Sequence, residues 1–358
     1  MNFLKQTVVL LLCFFAGIVQ GESLPMRWSD RALNLLNSTP PEEQISTPSA
    51  ERANRLSPIV LAVTKVMPSV VNLSTEKKVD GDTTEKWFEF PNEKKNGGEK
   101  EFSLGSGCII DDSGLILTNA HVVRRSIRTI VTLYDGQRVL AETVVADDLN
   151  DLALLRIVEP LSKLESITMG EPGDLLLGET VIVVGNPYGL DSSIADGILS
   201  AIGRKIVYDG RVLFNDILQT SATIYPGNSG GPLINVNGEM IGINTAVLKG
   251  AQGISFAIPL QRVENVLGQW LIPERFSEVS LGIVPGVRRL SDGRLFFYFQ
   301  NILPDSPAAK AGLKVEMQIR KIDGVPLNNL MDFLRKLWQV KANESLEIET
   351  DQGVFVVK

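Results

Sequence analysis

The stretch Gly227-Asn228-Ser229-Gly230-Gly231 places one serine among three glycines. The pattern fits a flexible turn without a chemical role, and it also fits a turn that presents the serine hydroxyl as a nucleophile. One such turn is the nucleophile elbow of α/β-hydrolases, in which the catalytic histidine follows the serine in the chain. This chain has a single histidine, His121, and it lies 108 residues before Ser229. The chain order therefore excludes the elbow.

The order histidine, acid, serine matches the chymotrypsin-type arrangement instead. A lone histidine beside apolar residues is more often a core side chain than a catalytic one. His121, however, ends the run Leu117-Thr118-Asn119-Ala120-His121 after a predicted strand. A strand terminus can hold an imidazole rigidly at the edge of a cleft, so we expect His121 to be the catalytic base.

Three acidic residues follow His121 at 26 to 30 positions downstream: Asp147, Asp148 and Asp151. For any one of them, a role in a turn or a helix cap is the default. Asp151 is favoured as the catalytic acid because it directly precedes the apolar run 152–155. At the edge of a core, a carboxylate can orient the Nδ1 proton of the histidine.

The composition excludes several classes of protein. Hydrophobic residues make up 44% of the 358 residues and charged residues 22%, which is typical of a soluble globular chain and of neither a disordered nor a polytopic membrane protein. The net charge of −7 provides no basic face for nucleic acid. One histidine and two cysteines, Cys13 and Cys108, cannot assemble a zinc site. We expect no metal and no cofactor.

The N-terminus predicts export. Residues 7–19 form an apolar run of 13 behind Lys5, which is too short to span a bilayer but is typical of a signal peptide. Cleavage after Gly21 would remove residues 1–21 together with Cys13, leaving Cys108 as the only thiol. The alternative is an uncleaved anchor in the inner membrane through residues 3–19.

The remaining chain divides into a linker and two domains. Residues 22–57 include a stretch rich in Pro, Ser, Thr and Glu that is typical of a solvated linker. Residues 58–272 contain short β-rich runs separated by turn signals such as Asp209-Gly, which favour antiparallel barrels or sandwiches. Helices are predicted from Ile59 to Val66 and from Leu260 to Trp270. Residues 278–358 form a separate unit with a helix from Asn329 to Val340, for which Asn328 is the predicted N-cap.

Five motifs give the chain a resemblance to a known family. They are Thr118-Asn-Ala-His-Val-Val123, Asp151-Leu-Ala-Leu-Leu-Arg156, Gly185-Asn-Pro-Tyr-Gly-Leu190, Gly227-Asn-Ser-Gly-Gly-Pro-Leu233 and Gly253-Ile-Ser-Phe-Ala-Ile-Pro259. Together they resemble the HtrA/Deg family of serine proteases over about residues 56 to 358. The resemblance implies a mainly β fold, in which a chymotrypsin-like double β-barrel is followed by one α/β PDZ domain.

The resemblance also implies an activity. His121, Asp151 and Ser229 are the expected catalytic residues of an ATP-independent serine endopeptidase, and the backbone N–H groups of Gly227 and Ser229 are the expected oxyanion hole. The expected substrates are unfolded or C-terminally recognised proteins, in periplasmic quality control or envelope stress signalling. The protease domain is expected to form a homotrimer. The alternative is a peptide-binding chaperone or scaffold protein whose protease site is normally collapsed.

The predicted PDZ domain carries its own site. The run Ser280, Leu281, Gly282 and Ile283 resembles a carboxylate-binding loop, so we expect it to bind peptides with free C-termini. Pro304 to Leu313 and Ile322-Asp-Gly324 add to the resemblance.

The chain departs from the family pattern near the nucleophile. It has Thr220-Ser221-Ala222 where Thr-Asp-Ala is usual, and Ile224-Tyr225 where Ile-Asn is common. These changes affect the expected primary specificity pocket and leave the three catalytic residues in place. Asn228 stands where many digestive proteases have an aspartate that pairs with a newly cut N-terminus. Because Asn228 is neutral, we expect activation by ordering of loops rather than by proteolytic trimming.

Overall fold

The computed structural model describes residues 54–78, 100–159, 161, 164–185, 193–208, 211–225, 227–247, 254–272, 279–292, 294–327, 329–341 and 344–358. The predicted signal peptide, residues 1–21, and nearly all of the predicted linker lie outside these residues. No helix in the described part of the chain is long and apolar enough to cross a membrane.

The described chain begins with helix α1 (Pro58–Val66). The Ser57 side chain accepts a hydrogen bond from Val60 N and caps the helix, and Pro58 occupies the first turn, where its missing N–H costs nothing. A short 3₁₀ helix, Met67–Ser69, leads from α1 into the first strand. The helix predicted from Ile59 to Val66 is therefore confirmed.

Two closed six-stranded antiparallel barrels follow, with neighbour orders β1-β2-β3-β6-β5-β4 and β10-β11-β12-β9-β8-β7. The strands of the first barrel are β1 (Val70–Lys78), β2 (Lys100–Asp111), β3 (Leu115–Thr118), β4 (Ser126–Thr132), β5 (Arg138–Asp147) and β6 (Leu152–Ile157). The strands of the second are β7 (Thr180–Gly185), β8 (Ser193–Tyr208), β9 (Arg211–Thr220), β10 (Pro232–Asn235), β11 (Met240–Val247) and β12 (Ser255–Pro259). The predicted chymotrypsin-like double barrel is confirmed.

Each barrel is closed around its own apolar core. The first core includes Val71, Leu73, Ile109, Ile116 and Leu155. The second includes Val181, Val183, Leu199, Leu218 and Leu233. Inward-facing aliphatic side chains on every strand of a small barrel fill its interior and leave no channel. The site residues must therefore lie at strand ends and in loops.

Strands β8 and β9 are the main elements that the sequence did not predict. They are the two longest strands of the second barrel, and their pairing shifts register four times, between Leu199 and Val207. Each such irregularity inserts a residue and interrupts the alternation of apolar and polar side chains. That alternation is the signal by which a strand is recognised in a sequence.

The described residues of the C-terminal part form two sheets and two helices. Its elements are β13 (Ile283–Arg289), β14 (Leu295–Ile302), α4 (Pro307–Lys310), β15 (Ile319–Ile322), β16 (Val325–Pro326), α5 (Leu330–Gln339), β17 (Leu346–Thr350) and β18 (Gly353–Val357). Strands β13 and β14 pair with each other, and the other four form a sheet in the order β16-β15-β17-β18. The N-cap of α5 is Asn329, whose side chain accepts from Asp332 N at 2.8 Å. The prediction of Asn328 was wrong by one residue, since either asparagine suits a cap and only the backbone decides which one is used.

Helix α3 (Leu260–Trp270), which ends the second barrel, also packs against β13 and α5. Its Asn265 Oδ1 accepts a hydrogen bond from Val287 N at 3.0 Å. A side chain at Gly268 would overlap the carbonyl of Pro285, so the helix backbone lies directly on β13. The helix therefore belongs to both parts of the chain.

Two buried acids lie near this junction. Asp111, at the end of β2, accepts a hydrogen bond from Arg335 Nε of α5 at 2.8 Å. Burial alone raises the pKa of Asp111, but the hydrogen bonds from Ser113 and Arg335 and the charge of Arg335 outweigh it, and the pKa lies below its usual value. Glu264 of α3 is fully buried, and neither of its oxygens has a hydrogen-bond partner among the described residues. Burial, with a smaller contribution from the charge of Asp332, raises its pKa to about 8.

Candidate active site

His121 lies just beyond the end of β3. The strand stops at Thr118, and the short helix α2 (Ala120–Val123) begins after Asn119, so the imidazole is held at the rim of the first barrel. Its Nδ1 lies 2.9 Å from each carboxylate oxygen of Asp151. Its backbone N–H donates to Asp151 Oδ1 at 3.1 Å. These contacts orient the ring so that Nε2 is the nitrogen available for acid–base chemistry.

Asp151 occupies the loop between β5 and β6 and has a left-handed backbone, with φ at +50°. Such a conformation is uncommon for a residue with a side chain and costs on the order of 1 kcal/mol. The Asn119 side chain donates to the Asp151 carbonyl at 2.9 Å, which holds this conformation in place. In this backbone conformation the Asp151 carboxylate points towards His121 and not into solvent.

The Asp151 carboxylate is also bound by a residue of the second barrel. Thr245 Oγ1, on β11, donates to Asp151 Oδ2 at 2.7 Å. Burial alone raises the pKa of Asp151, but the charge of His121 and the hydrogen bonds from His121 and Thr245 outweigh it and lower the pKa below its usual value. The carboxylate therefore stays ionised at neutral pH.

The other two candidate acids serve other purposes. Asp147 accepts hydrogen bonds from the backbone N–H groups of Leu149 and Asn150 at 2.8 and 3.1 Å and closes the turn after β5. Asp148 forms an exposed ion pair with Arg124 at 2.7 Å. Of the three acids considered, Asp151 is the one that the structure brings to His121.

Ser229 lies in the loop between β9 and β10 and is almost fully buried. Its Oγ donates to the Thr245 carbonyl at 2.9 Å. The turn that carries it is closed by a hydrogen bond from Asn228 N to the Tyr225 carbonyl at 3.0 Å. Gly227 has φ at +97°, a conformation that only glycine adopts readily, so the glycine before the nucleophile is required by the backbone.

Thr245 is the site residue that sequence reasoning missed. Through its hydroxyl it binds Asp151, and through its carbonyl it accepts from Ser229, so a single residue of β11 joins the acid to the nucleophile. Threonine is common in strands and is not flanked by any motif that marks it. Only the closure of the second barrel, which places β11 beside the Ser229 loop, identifies it.

The residues at which the chain departs from the family pattern have structural partners. Ser221 Oγ accepts from Ile198 N at 3.0 Å, and Thr220 Oγ1 donates to the Ile198 carbonyl at 2.9 Å, so both tie the segment to β8. Asn228 is fully buried, and its Nδ2 lies 3.5 Å from Ser193 Oγ. The partner of the Asn228 amide in this turn is therefore a neutral hydroxyl.

The predicted carboxylate-binding run, Ser280 to Ile283, lies in the C-terminal part. Its last residue, Ile283, is the first residue of β13. The Leu281 carbonyl accepts from Ala308 N at 3.1 Å, and the Gly282 carbonyl accepts from Leu303 N at 2.9 Å. Gly282 has φ at +71°, and a side chain there would overlap Ser306. Because N–H and C=O point in opposite directions across a trans peptide, the N–H groups of Gly282 and Ile283 point away from these partners.

The described residues contain no cluster of histidine, cysteine or acidic side chains that could bind a metal ion. Cys108 is fully buried, and burial raises the pKa of its thiol to about 12, so it is not a nucleophile at neutral pH. The chemistry that the site can support is therefore acid–base and nucleophilic chemistry by His121, Asp151 and Ser229.

Comparison with known proteins agrees with this geometry. Residues 105–243 match a family described as the trypsin-like peptidase domain. The putative serine protease HhoA of Synechocystis is 33% identical over 96% of this chain and 92% of its own length. The chain belongs to the HtrA/Deg family of serine endoproteases. The periplasmic serine endoprotease DegP of Escherichia coli, in the same family, is 34% identical over 83% of this chain and 69% of its own length.

The family's solved structures include the HtrA-type protease AlgW with a decapeptide. It is 28% identical to this chain, the match covers 83% of this chain and 96% of that chain, and the TM-score is 0.48. The predicted family and the predicted enzyme class, a serine endopeptidase, are confirmed by the matches to HhoA and DegP.

Proposed function

We propose that this HtrA/Deg protease cleaves peptide bonds with Ser229 as nucleophile, His121 as general base and then general acid, and Asp151 as the group that fixes the imidazole tautomer and stabilises the imidazolium. The observation that carries the proposal is the chain of hydrogen bonds from His121 through Asp151 and Thr245 to Ser229. It joins residues of both barrels at one point.

Reaction requires the Ser229 hydroxyl to change its partner. It donates to the Thr245 carbonyl here, whereas attack on a substrate requires it to give its proton to His121 Nε2. Rotation of the hydroxyl or of χ1 achieves this change, and such catalytic hydrogen bonds often tighten only when substrate binds. The Ser229 hydroxyl therefore has to leave the Thr245 carbonyl before it can attack a substrate.

The oxyanion that forms during attack requires donors that are already in position. The N–H groups of Gly227 and Ser229 fit this role, since the positive φ of Gly227 turns the backbone sharply next to the nucleophile. Donors of this kind act on charge that develops only in the transition state, so they accelerate the reaction without tightening substrate binding.

A fluorophosphonate probe tests the proposed nucleophile, because it reacts only with an activated serine. We expect labelling of the wild type that is abolished in Ser229→Ala and strongly reduced in His121→Ala. As a matched control, Ser126→Ala removes a hydroxyl that donates to the Arg128 carbonyl within β4 and should retain labelling. A wild type that stays unlabelled with any peptide and at any temperature would support the chaperone or scaffold alternative instead.

We further propose that the C-terminal part, residues 278–358, is a PDZ domain that binds free C-termini at Ser280–Ile283. The carbonyls of Leu281 and Gly282 accept hydrogen bonds from Ala308 and Leu303, which fixes the backbone of a run that resembles a carboxylate-binding loop. A peptide can then add a strand beside β13. Calorimetry with a free-acid peptide and its C-terminal amide tests this, since equal affinities would contradict carboxylate binding.

The proposed setting is the periplasm, which the names of the relatives support. We propose that residues 1–21 are a signal peptide, with anchoring through residues 3–19 as the alternative, and that the protease domain assembles as a homotrimer. The proposed substrates are unfolded or C-terminally recognised proteins in quality control or stress signalling. Mass spectrometry of the mature N-terminus separates cleavage from anchoring, and light scattering of the purified protein gives the subunit number.

A further inference from the structure

Ser106 is a fully buried serine of the first barrel that lies against the catalytic turn of the second. Its hydroxyl donates to the Gly227 carbonyl at 2.6 Å, across 121 positions of sequence. Its backbone N–H donates to the Ser229 carbonyl at 2.9 Å. One residue of β2 therefore binds the turn on both sides of Asn228.

These two hydrogen bonds fix two peptide planes of the turn. The Gly227 carbonyl belongs to the peptide plane before Asn228, and the Ser229 carbonyl belongs to the plane that follows the nucleophile. Gly227 is the residue in this turn whose own backbone preferences are weakest, because glycine occupies positive and negative φ with similar ease. Its orientation must therefore be imposed from outside the turn, and the short hydrogen bond from Ser106 does so.

Ser106 is itself bound to the strand end that precedes His121. Its carbonyl accepts from Thr118 Oγ1 at 2.7 Å, and Thr118 lies three positions before His121. The nucleophile turn also fits tightly here, since a side chain at Gly230 would overlap both Thr118 Oγ1 and the Ser106 carbonyl. These contacts fix the position of the turn relative to Thr118, at the end of β3, and so relative to His121.

We propose that Ser106 is a positioning residue that holds the oxyanion-binding turn Gly227–Ser229 in its catalytic orientation relative to His121. The proposal rests on the roles of Gly227 and Ser229 given above. Ser106 touches neither the substrate nor the reacting atoms, so its effect must appear in the transition state and not in ground-state binding.

The decisive variant is Ser106→Ala, which removes the hydroxyl and leaves the backbone N–H in place. We expect kcat on a short chromogenic peptide to fall about 10- to 100-fold, somewhat less than the loss when an oxyanion donor is removed outright, while KM stays within about threefold. A peptide boronic acid forms a tetrahedral adduct that occupies the oxyanion hole, so its affinity should fall by about the same factor as kcat/KM. Thr350→Val is the matched control, because it removes a buried hydroxyl that donates to a glycine carbonyl at 3.0 Å in the C-terminal sheet.

Several outcomes would overturn the proposal. One is a folded Ser106→Ala with kcat within twofold of wild type. Another is a fall in kcat that is no larger than the fall seen in Thr350→Val for the same decrease in melting temperature, while the affinity for the boronic acid is unchanged. If Ser106→Ala does not fold, Ser106→Cys tests the proposal instead, because its thiol is a weaker donor of similar size. A kcat between that of wild type and the expected value for Ser106→Ala supports the proposal. A kcat equal to that of wild type overturns it. Failure of the wild type itself to react with the fluorophosphonate would refute the proposed function and is distinguishable from all of these.

Discussion

Asp151 is partly buried and Glu264 is fully buried, and the two carboxyl groups have opposite surroundings. Asp151 accepts from the His121 backbone, contacts the imidazole at 2.9 Å and accepts from Thr245 Oγ1 at 2.7 Å. Glu264 has no hydrogen-bond partner for either oxygen among the described residues. The pKa of Asp151 accordingly lies below its usual value, whereas burial raises that of Glu264 to about 8.

The difference shows that burial by itself does not determine the charge of an acid. Donors aimed at a carboxylate stabilise its ionised form, and a carboxyl without donors remains protonated because its charge cannot be solvated. The ionised acid lies against the His121 imidazole, on which positive charge develops in the mechanism proposed above. The neutral acid lies between α3 and α5, where it contributes volume without charge at pH 7.

The largest difference in kcat is expected when each of the two carboxyl groups is replaced by its amide. Asp151→Asn removes the negative charge and presents a donor to Nδ1, so we expect kcat to fall about 10⁴-fold. Glu264→Gln replaces a protonated carboxyl by a group of the same shape, so kcat at pH 7 should stay within about twofold. Steady-state kinetics on one peptide substrate checks both, and a comparable loss in the two variants would contradict the difference in charge state.

The pH dependence of stability tests Glu264 directly. Its native pKa is above the unfolded value, so the native state keeps a proton that the unfolded state has lost, and stability falls as pH rises towards 8 and then levels off. Between pH 6 and 8 the wild type should lose about 2 kcal/mol relative to Glu264→Gln, or about 4–8 °C in melting temperature. Parallel melting curves for the two proteins would show that Glu264 is already ionised in the native state.

A variant of Thr245 tests the hydrogen bond that this residue donates to Asp151. Thr245→Val removes the hydroxyl from Asp151 but keeps the carbonyl that binds Ser229. We expect kcat to fall about tenfold, because one hydrogen bond to a charged group contributes about 1.5 kcal/mol. The loss of that bond also raises the pKa of Asp151, so the stability that its ionised form provides should be lost at a higher pH on acidification. Thr245→Ser should retain the wild-type profile, and equal losses in both variants would assign the effect to packing.

The smallest effect is expected from Asp332. Its charge makes a secondary contribution to the raised pKa of Glu264, after burial. Asp332→Asn should therefore move the pH at which stability levels off downward by less than about one unit. The double variant Glu264→Gln/Asp332→Asn should show no such shift, and a shift that persists there would come from another group.

The three residues proposed to be catalytic could be picked out from the sequence because each has a distinctive signal. His121 is the only histidine, Ser229 is flanked by glycines, and Asp151 precedes an apolar run. Thr245 and Ser106 have no such signal, because their roles depend on which strands adjoin when the barrels close. Register across a barrel is a property of many weak contacts and is not encoded in any short motif.

The helices that the sequence predicted, from Ile59 to Val66 and from Leu260 to Trp270, follow from caps, prolines and apolar spacing, all of which act locally. The β8–β9 hairpin was missed because bulges interrupt its alternation. Glu264 was missed for the opposite reason: in a sequence, a glutamate on an amphipathic helix is read as a solvent-facing residue. Its complete burial is visible only in the folded structure.

The tight fit of Gly230 against Thr118 and Ser106 has a consequence for biogenesis. The nucleophile turn has no fixed position until the strand ends of the first barrel exist to receive it, and those ends lie more than a hundred positions earlier in the chain. Contacts so distant in sequence form late in folding. A chain in which only one of the two barrels has folded therefore lacks the contacts that hold Ser229 in place beside the first barrel.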